Sequence, residues 1–580
     1  MTKIKSDAGR FLSALGLRDT LKSYLLGMQE SYPFLPFKLD DSDAYFQLHR
    51  IMTRSRSILK ELNSQASSGP NILFAHMRGS AFLLPFETLL AHRLRFDGVI
   101  PTFLACEDLP QCNNRSIWRA SNPNICANCL DCNTRFFNRM RLPFYKLSDF
   151  VDGTIYTQAT ELTEQLPMDV CRKFVYRDIP IGELSEVSVA RYLCHDAFED
   201  NSEEALEAWR NYLAGAVVLV HAYEQIFEKI RPDIVFMSNG RFFWYSIAHH
   251  FANRYGAQVV SYESDGGFGK TWIFRDGTPV ASLQFSDTLW SVWKDRPLTK
   301  SEDRTLDKYL LSRTRGTIFY PDPEEDARAM RETLNLPDNQ PLIVMFTNLS
   351  WDSQVVGRRT IFNSMLEWVR ETIRFLASQN VTVVLRVHPA EQFVFEGDKT
   401  REKAMEDLDA HFDVLPDNLR VILPDSQLSS YTLLDMADAV VVYTSTIGLE
   451  AAIRGRSPVI VGGRAHYWDR GFAYCPGTTE EYFQLLENVE NLSPPSEEEI
   501  KFARRYAYLF WFRTVIPLQL FETKERFEVS RFNIQSLEDI RPGRNPYLDL
   551  IADGVLGKKN FVLEEVQSAA HAEHLIHSRR

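Results

Sequence analysis

The sequence predicts an α/β protein built from two successive doubly wound, Rossmann-like domains. Short apolar segments rich in β-branched residues alternate with helical patterns in the first half of the chain, and the same alternation restarts near residue 342. This alternation is typical of parallel sheets that are covered by helices on both faces. Four polar loops also follow predicted strands directly, which is where such domains bind ligands.

The composition is that of an ordinary globular protein. Of the 580 residues, 44% are hydrophobic and 24% are charged, and the formal net charge is −12. An acidic chain without a block dense in Lys and Arg argues against nucleic acid as a partner. No segment reaches the roughly 18 uninterrupted apolar residues of a membrane span, and the N-terminus lacks the apolar core of a signal peptide. We therefore expect a cytoplasmic protein, with peripheral contact to the inner face of the plasma membrane or to an assembly complex left open.

The first domain begins with a predicted strand at 71–75, which ends in His76-Met-Arg-Gly79. A helix at 81–92 and a second strand at 99–105 follow, so that a strand, a glycine turn, a helix and a strand succeed one another. Beyond a cysteine-rich insertion, the alternation continues with a helix at 203–230, a strand at 233–237, a helix at 242–255 and a strand at 258–262.

The second domain restarts the alternation. The segment 381–387 is almost continuously apolar and rich in valine, as expected for a parallel strand buried on both faces. The other predicted elements are strands at 342–347, 439–443 and 459–461 and helices at 361–378 and 447–454.

These patterns divide the chain into four parts. The predicted parts are an N-terminal helical segment at 1–68, with a helix at 10–30, a first Rossmann-like domain at 69–330, a second Rossmann-like domain at 331–495, and C-terminal helices and a tail at 496–580. The first domain carries the cysteine-rich insertion at 106–132, and helix is predicted over 496–525.

Two polar motifs follow strands of the second domain. In Leu385-Arg386-Val-His388-Pro389, the proline ends the strand and the imidazole could donate a hydrogen bond to a phosphate. In Ser445-Thr446-Ile-Gly448-Leu-Glu450, the hydroxyl groups and the N–H groups of a helix start could hold an anion. Gly448 would permit the close approach of a ligand or a neighbouring backbone, and Glu450 could accept from ribose hydroxyls. A structural histidine and a plain helix cap are the alternatives.

Two further loops complete the set. Glu263-Ser-Asp265-Gly-Gly follows the last strand of the first domain, and its carboxylates suit a general base on a tight loop. Asn348 follows the first strand of the second domain and could contact phosphate or sugar. A polar turn and an Asx turn are the respective alternatives.

Part of the second domain resembles the C-terminal half of bacterial capsule polysaccharide biosynthesis proteins. The resemblance runs from Arg386-Val-His-Pro389 through Ser445-Thr446-Ile-Gly448-Leu-Glu450 to Gly455-Arg-Ser-Pro458-Val459. Those proteins resemble transferases of Kdo (3-deoxy-manno-octulosonic acid). This chain is also similar to bacterial sialyltransferases that use CMP-sugars, because it combines an acidic-Gly loop, a His-Pro motif and a Ser/Thr pair. The first 200 residues are not covered by the resemblance.

The resemblance implies a GT-B glycosyltransferase with two facing Rossmann-like domains, of which the first, at 69–330, would bind the acceptor and the second, at 331–495, the nucleotide sugar. It implies that His388 contacts the phosphate or cytidine of a nucleotide-sugar donor, for which CMP is favoured, and that Ser445 and Thr446 bind phosphate. Glu263 or Asp265 would activate the acceptor, a surface polysaccharide or glycolipid. Ser264 separates these two carboxylates here, whereas the family usually has adjacent acidic residues, so the choice between them stays open.

A catalytic metal is not expected. A metal-dependent transferase would need an Asp-x-Asp pair at a strand end. Asp41-Ser-Asp43 follows no predicted strand, and Asp407-Leu-Asp409 lies in a helical pattern.

Five cysteines cluster in the insertion of the first domain. The spacing of Cys126, Cys129 and Cys132, with Cys106 and Cys112 upstream, matches that of metal ligands. A structural zinc site is the first interpretation, and an iron–sulfur cluster or unliganded thiols are the alternatives.

Three other functions remain open. A UDP-sugar 2-epimerase shares the two-domain architecture, and a CDP-polyol phosphotransferase would produce phosphodiesters for a cell-surface polymer. An assembly factor could keep the same fold without catalysis.

Overall fold

The computed structural model describes residues 44–65, 68–76, 83–107, 109–112, 125–264, 269–315, 323–392, 399–401, 403–524 and 528–578. The predicted helix at 10–30 and the predicted base Asp265 lie outside these residues.

Helices and strands alternate along the described chain, as predicted. The helices before the second domain are α1 (Ala44–Arg54), α2 (Arg56–Ser64), α3 (Leu83–Arg95), α4 (Ile125–Met140), α5 (Gly153–Thr163), α6 (Met168–Arg172), α7 (Ile181–Leu193), α8 (Glu203–Ile230), α9 (Phe243–Tyr255), α10 (Asp287–Trp293), α11 (Lys300–Arg315) and α12 (Pro323–Leu334). They are followed by α13 (Met365–Leu376), α14 (Ala404–His411), α15 (Ser430–Met436), α16 (Ile447–Arg454), α17 (Thr479–Glu487), α18 (Glu497–Tyr508), α19 (Pro546–Val555) and α20 (Glu565–Ser578).

The strands form two larger sheets and a hairpin. They are β1 (Asn71–Phe74), β2 (Ile100–Ala105), β3 (Phe144–Lys146), β4 (Ile234–Ser238), β5 (Gln258–Ser264), β6 (Thr271–Asp276), β7 (Leu342–Phe346), β8 (Thr382–Arg386), β9 (Leu419–Ile422), β10 (Ala439–Val442), β11 (Val459–Val461), β12 (Val515–Pro517), β13 (Phe521–Lys524) and β14 (Glu528–Phe532).

The sheet of the first domain has the strand order β3-β2-β1-β4-β5-β6-β12. The strands β1 to β5 are parallel, and β6 and β12 are added in antiparallel orientation. Leu73 of β1 lies between Thr102 of β2 and Val235 of β4. The chain reverses direction across the sheet between β1 and β4, and such a switch point leaves a crevice at the carboxyl ends of the strands.

The sheet of the second domain repeats this topology in the order β9-β8-β7-β10-β11, and all its pairs are parallel. Its switch point lies between β7 and β10. The residues of β7, β8 and β10 are buried along their whole length, because helices cover both faces of the sheet.

Each sheet has an apolar cluster on either face. In the first domain, Leu73 belongs to the cluster with α7, α8 and α9, whereas Ile72 and Phe74 belong to the cluster with α1, α3 and α4. This alternation follows from the period of two along a strand. In the second domain, Val344 and Ile343 divide between two clusters in the same way. The predicted fold of two Rossmann-like doubly wound domains is confirmed.

The C-terminal part of the chain returns to the first domain, and it contains strands as well as helices. The prediction of helix over 496–525 is wrong beyond residue 513. Helix α18 continues through a π-helical turn at Leu509–Arg513, and the chain then becomes β12, with Val515 opposite Ile273 of β6. The β-branched pair Val515-Ile516 fits this sheet edge, and Ile516 is fully buried in the core of the first domain.

Loops at the carboxyl ends of the two sheets meet each other. Arg241, which follows β4, donates hydrogen bonds to the carbonyl oxygens of Ser353 and Val356, which follow β7, and the Val356 contact is 2.7 Å long. Trp351 and Val356 also pack into the apolar core of the first domain. The two carboxyl edges therefore face each other. Among the helices that the structure describes, none combines the length and the apolar character required to cross a membrane.

Candidate functional site

The switch point of the second sheet lies between the loops that follow β7 and β10, where doubly wound folds have a crevice. The Thr444 amide donates a hydrogen bond to Asn348 Oδ1 at 3.3 Å, which joins the two diverging loops at their starts. Thr444 is only 8% exposed, and its Oγ1 has no hydrogen-bond partner among the described residues. A buried hydroxyl without a partner is costly, so this atom is suited to a bound ligand.

His388 follows β8 at the edge of the crevice. Its backbone N–H donates to Thr347 Oγ1 at 2.9 Å, and its Nδ1 accepts the amide N–H of Ala390 at 3.1 Å. Because Nδ1 is an acceptor, the proton of the neutral ring lies on Nε2, which is then a hydrogen-bond donor. Burial and the neighbouring Arg386 lower the pKa of His388. The ring is therefore a neutral donor at physiological pH.

Ser445 and Thr446 form the turn that leads into α16. Ser445 Oγ accepts the amide N–H of Ile447 at 3.4 Å, and the Tyr467 hydroxyl donates to the Ser445 carbonyl at 2.8 Å. Thr446 Oγ1 lies 3.4 Å from His466 Nε2. The loop is thus held by its own hydroxyl groups and by the segment that follows β11. The first four N–H groups of α16, from Ile447 to Glu450, donate to oxygens of Ser445 and Thr446 within this turn.

Arg464 is a residue of this edge that the sequence predictions missed. It follows β11, and the Gly463 amide before it donates to the Tyr443 carbonyl at 3.0 Å, which brings the two loops together. A Cβ on Gly463 would lie 2.8 Å from the Tyr443 ring, so the close contact requires glycine. Arg464 is exposed, and its side chain pairs with none of the described residues. The Gly-Gly-Arg sequence after a strand was the available signal.

Three residues predicted to bind the donor make close contacts within the protein. A Cβ on Gly448 would lie 2.1 Å from the Tyr467 hydroxyl, so this glycine makes room for a side chain of the protein. Glu450 is 2% exposed, and its Oε1 pairs with Arg313 at 2.8 Å. The Arg386 guanidinium donates to loop carbonyls at 2.5 and 3.3 Å, and burial lowers its pKa. These contacts could not be predicted from the sequence, because the contacting groups are not neighbours along the chain.

The acidic loop of the first domain lies on the other side of the interdomain contact. Glu263, on β5, accepts a hydrogen bond from Asn239 Nδ2 at 3.2 Å, and the same amide lies 3.4 Å from Ser353 Oγ of the second domain. Glu263 is half-buried. Asn239 adopts a φ of +58°, which asparagine tolerates better than most residues. The structure thus places Glu263 beside the loop that follows β7.

A charged network that the sequence predictions also missed lines the domain boundary. Glu186 pairs with Arg359, Glu199 lies 3.2 Å from Arg370, and Asp200 lies 3.1 Å from Arg401. Each of these pairs joins the first domain to the second. They are far apart in sequence, so no local pattern predicts them.

Asp196 lies in the same region and is 4% exposed. Burial, and then the negative charge of Glu186, raise the pKa of Asp196 to about 7. One acidic group of the interface therefore changes charge near neutral pH.

The predicted cysteine ligands lie on separate parts of the first domain. Cys126, Cys129 and Cys132 lie on α4, whereas Cys106 and Cys112 pack against the core cluster on the opposite face of the sheet from Cys132. Among the described residues, no group of three or more His, Cys, Asp or Glu side chains is arranged to hold a metal ion. The structure therefore gives no support to the predicted zinc site or to an iron–sulfur cluster.

The fold and the crevice define the class of the protein. Two Rossmann-like domains with facing carboxyl edges are the GT-B arrangement that the sequence resemblance implied. Residues 309–482 match the family of capsule polysaccharide biosynthesis proteins, and this segment contains Asn348, His388 and Thr444. The resemblance seen in the sequence is thereby confirmed for the second domain. No curated relative has significant sequence similarity to the chain.

Several solved structures are distantly similar. The β-Kdo 2,7-transferase KpsC of Thermosulfurimonas dismutans is 17% identical over 49% of this chain and 79% of its own, with a TM-score of 0.25. The UDP-GlcNAc 2-epimerase of Neisseria meningitidis is 9% identical over 75% of this chain and 97% of its own, with a TM-score of 0.23. The N-terminal domain of Candida albicans trehalose-6-phosphate phosphatase is 11% identical over 75% of this chain and 91% of its own, with a TM-score of 0.28. Likenesses at these scores do not bear on the function.

Proposed function

We propose that the protein is a glycosyltransferase of capsule polysaccharide synthesis that uses a nucleotide-activated donor, with a CMP-sugar of the Kdo type favoured. The observation that supports this most is the crevice at the switch point of the second sheet, where Thr444 offers an unpartnered buried hydroxyl and His388 a neutral Nε2–H donor. Both residues lie in the segment that matches the capsule family.

The donor phosphate would occupy this crevice. The Thr444 hydroxyl, the His388 Nε2–H and Arg464 offer hydrogen bonds and one positive charge to it. Such donors strengthen their interaction as negative charge develops on the departing phosphate. These groups are the basis for proposing a transfer without a catalytic metal.

The acceptor would enter from the first domain. Glu263, or Asp265 beyond it, takes the proton of the acceptor hydroxyl, and the acceptor oxygen forms a bond to the anomeric carbon. The bond between that carbon and the phosphate oxygen breaks, and the electron pair leaves with the nucleotide. The hydrogen bond from Asn239 orients Glu263 at 3.2 Å. The acceptor is a surface polysaccharide or a glycolipid, reached in the cytoplasm or at the inner membrane face.

A thermal-shift panel with CMP, CDP, UDP and GDP tests the donor. We expect CMP to raise the melting temperature of the wild type and to have a smaller effect on His388→Ala, because one hydrogen bond to the ligand is lost. Arg456→Ala is the control, since Arg456 is exposed and follows α16 at its far end. Equal stabilisation of His388→Ala and the wild type would refute the assignment of His388.

Product analysis separates the alternatives. The proposed enzyme transfers sugar only when an acceptor is present and forms glycosides. A 2-epimerase would convert UDP-N-acetylhexosamine without an acceptor, and a CDP-polyol phosphotransferase would form phosphodiesters. The absence of nucleotide binding at millimolar concentration would instead favour a non-catalytic assembly factor.

A further inference from the structure

A buried histidine lies at the carboxyl edge of the first sheet, apart from the site in the second domain. His76 is two residues beyond the end of β1, and the switch point of this sheet lies between β1 and β4. Doubly wound sheets bind ligands at this position. His76 is 1% exposed, and its Nε2 has no hydrogen-bond partner among the described residues. A buried polar atom without a partner is costly, so Nε2 is suited to a ligand, as Thr444 Oγ1 is in the second sheet.

The other ring nitrogen of His76 is held by the carboxyl group of Glu87. Glu87 is buried on α3, and its Oε2 lies 2.5 Å from His76 Nδ1. The Tyr262 hydroxyl donates to Glu87 Oε1 at 2.6 Å. Because the carboxylate keeps the proton of the neutral ring on Nδ1, Nε2 retains a lone pair and accepts hydrogen bonds. The contacts from Tyr262 through Glu87 thus fix the orientation of an imidazole that lacks a hydrogen-bond donor.

Asn133 on α4 is a second buried polar side chain without a partner. It is 0% exposed, and neither its Oδ1 nor its Nδ2 has a hydrogen-bond partner among the described residues. The large majority of buried side-chain polar atoms in proteins are hydrogen-bonded, so an amide with both atoms unpaired requires an explanation. This one side chain offers a donor and an acceptor to a ligand.

Phe137 places Asn133 near the imidazole. The Phe137 ring makes an edge contact with His76, with ring centroids 6.0 Å apart, and packs against Phe103 of β2 at 4.7 Å. Asn133 precedes Phe137 by four residues, so both lie on the buried face of α4. Helix α4 connects the parallel strands β2 and β3 and runs antiparallel to them, which places Asn133 about 6 Å nearer the carboxyl edge than Phe137. His76, two residues beyond the β1 partner of Phe103, lies at a similar height.

These groups suit hydroxyl groups better than ions. His76 Nε2 needs a ligand that donates a hydrogen bond, and the Asn133 amide can donate to and accept from the same ligand. A sugar with adjacent hydroxyl groups meets both needs. The Glu87 carboxylate beside the imidazole repels an anion, and neither His76 nor Asn133 brings the permanent positive charge that an anion site would use.

We propose that His76 and Asn133 bind adjacent hydroxyl groups of a neutral sugar residue of the acceptor. The site lies in the first domain, and Tyr262, which contacts Glu87, directly precedes the proposed base Glu263 on β5. The role in transfer rests on the proposed function, whereas the binding of the sugar does not. Glu87 is a positioning residue, because it acts through the His76 ring.

The melting temperature of the full chain without ligand gives the first test. Asn133→Leu replaces the buried amide by an apolar side chain of similar size. Because the amide atoms have no partner in the free protein, this change removes an uncompensated desolvation cost, and we expect a melting temperature at or above that of the wild type. Asn138→Leu makes the same substitution at an exposed position of α4 and is the control. A melting temperature of Asn133→Leu below that of the control would show that the amide holds a structural partner such as a buried water, and it would overturn the proposal.

NMR titration with the neutral methyl glycosides of glucose, galactose, mannose and N-acetylglucosamine tests the binding, with galacturonate as the anionic comparison. We expect at least one neutral glycoside to bind and galacturonate to bind more weakly. Asn133→Leu should weaken the binding at least tenfold, since two hydrogen bonds to the sugar are lost, and Asn138→Leu should leave it unchanged.

Glu87→Gln tests the positioning of the ring. The new amide can donate to His76 Nδ1, which moves the proton of the neutral ring to Nε2 and removes the acceptor. Nitrogen-15 NMR of the imidazole should show this change of tautomer, and the glycoside should bind more weakly. An unchanged tautomer together with unchanged binding would overturn the role of Glu87.

The remaining outcomes separate the sugar site from the transferase function. Absence of binding by every glycoside, an equal loss in Asn138→Leu, or a preference for galacturonate would overturn the sugar site. If a glycoside binds through Asn133 but no nucleotide stabilises the protein, the sugar site stands and the transferase function fails. If CMP stabilises the protein but Asn133→Leu binds glycosides as the wild type does, the sugar site fails and the transferase function stands.

Discussion

Glu186 on α7 of the first domain pairs with Arg359 in the loop after β7 of the second domain, so an ion pair joins the two Rossmann-like units. The Glu186 side chain is 10% exposed and that of Arg359 is 34% exposed. Arg359 also lies over the Phe198 ring, 5.0 Å from its centroid. The pair therefore links the stability of the domain interface to charge.

Replacing Arg359 should show this link. Arg359→Gln leaves the buried Glu186 carboxylate without its partner, and we expect it to lower the free energy of unfolding by about 2 kcal/mol, less than for a fully buried pair because Arg359 is partly exposed. Glu186→Gln in the same chain should recover part of the loss. Urea unfolding of both single variants and the double variant measures the coupling. Arg331→Gln is the control, since its partner Asp338 is 92% exposed. Strictly additive effects would contradict the pairing.

The packing of Gly448 against Tyr467 gives a second prediction. In an open helix, Gly→Ala would stabilise by about 1 kcal/mol. Here the new Cβ would lie 2.1 Å from the Tyr467 hydroxyl, and overpacking of this kind costs about 1–3 kcal/mol. We therefore expect Gly448→Ala to lower the melting temperature and Tyr467→Phe to relieve the effect in the double variant. If Gly448→Ala is as stable as the wild type, the contact is not tight.

Arg464 should affect ligands according to their charge. It is exposed and follows β11, the strand next to β10. If its guanidinium contacts the donor phosphate as proposed, Arg464→Ala should weaken the binding of CMP about tenfold, since a charge-assisted hydrogen bond contributes roughly 1.5 kcal/mol. Cytidine, which has no phosphate, should bind both proteins equally. Arg456→Ala removes an exposed arginine outside the crevice and serves as the matched control. A parallel loss of cytidine binding would indicate a structural role instead.

Asp196 predicts a dependence of stability on pH. Burial, followed by the charge of Glu186, raises its pKa to about 7 in the folded chain, whereas an unfolded chain loses this proton near pH 4. The folded state thus binds the additional proton between these values. The contribution of this site to stability is present below about pH 4 and is lost as the pH rises towards 7, by up to about 1.4 kcal/mol per pH unit.

The variant Asp196→Asn cannot lose a proton and keeps an oxygen for the Phe198 amide, which Asp196 Oδ1 accepts at 2.8 Å. Its free energy of unfolding should fall less between pH 5 and 8 than that of the wild type, as measured by urea unfolding at each pH. Asp338→Asn, at a site 92% exposed, should follow the wild type. Identical slopes for Asp196→Asn and the wild type would show that Asp196 is ionised throughout.

Local patterns were sufficient for much of the fold. The β-branched strands at 342–346 and 382–386 are so apolar that only a sheet covered on both faces can bury them, and the polar loops after them identified Asn348 and His388. The C-terminal strand β12 was missed because its aromatic-rich surroundings have a helical pattern. Its partner β6 is more than 200 residues away in sequence, and contacts at that distance leave no local pattern.

The sequence thus determined the two doubly wound domains, the segment related to capsule synthesis, and the strand ends at which a ligand would bind. The tertiary structure decided which polar residues at those ends remain available. Glu450 and Arg386 have the chemistry of ligand-binding residues but contact Arg313 and loop carbonyls, whereas Arg464 after β11 is exposed. Both outcomes depend on neighbours that folding brings together, because burial and pairing, rather than residue type, decide whether a charged group can meet a ligand.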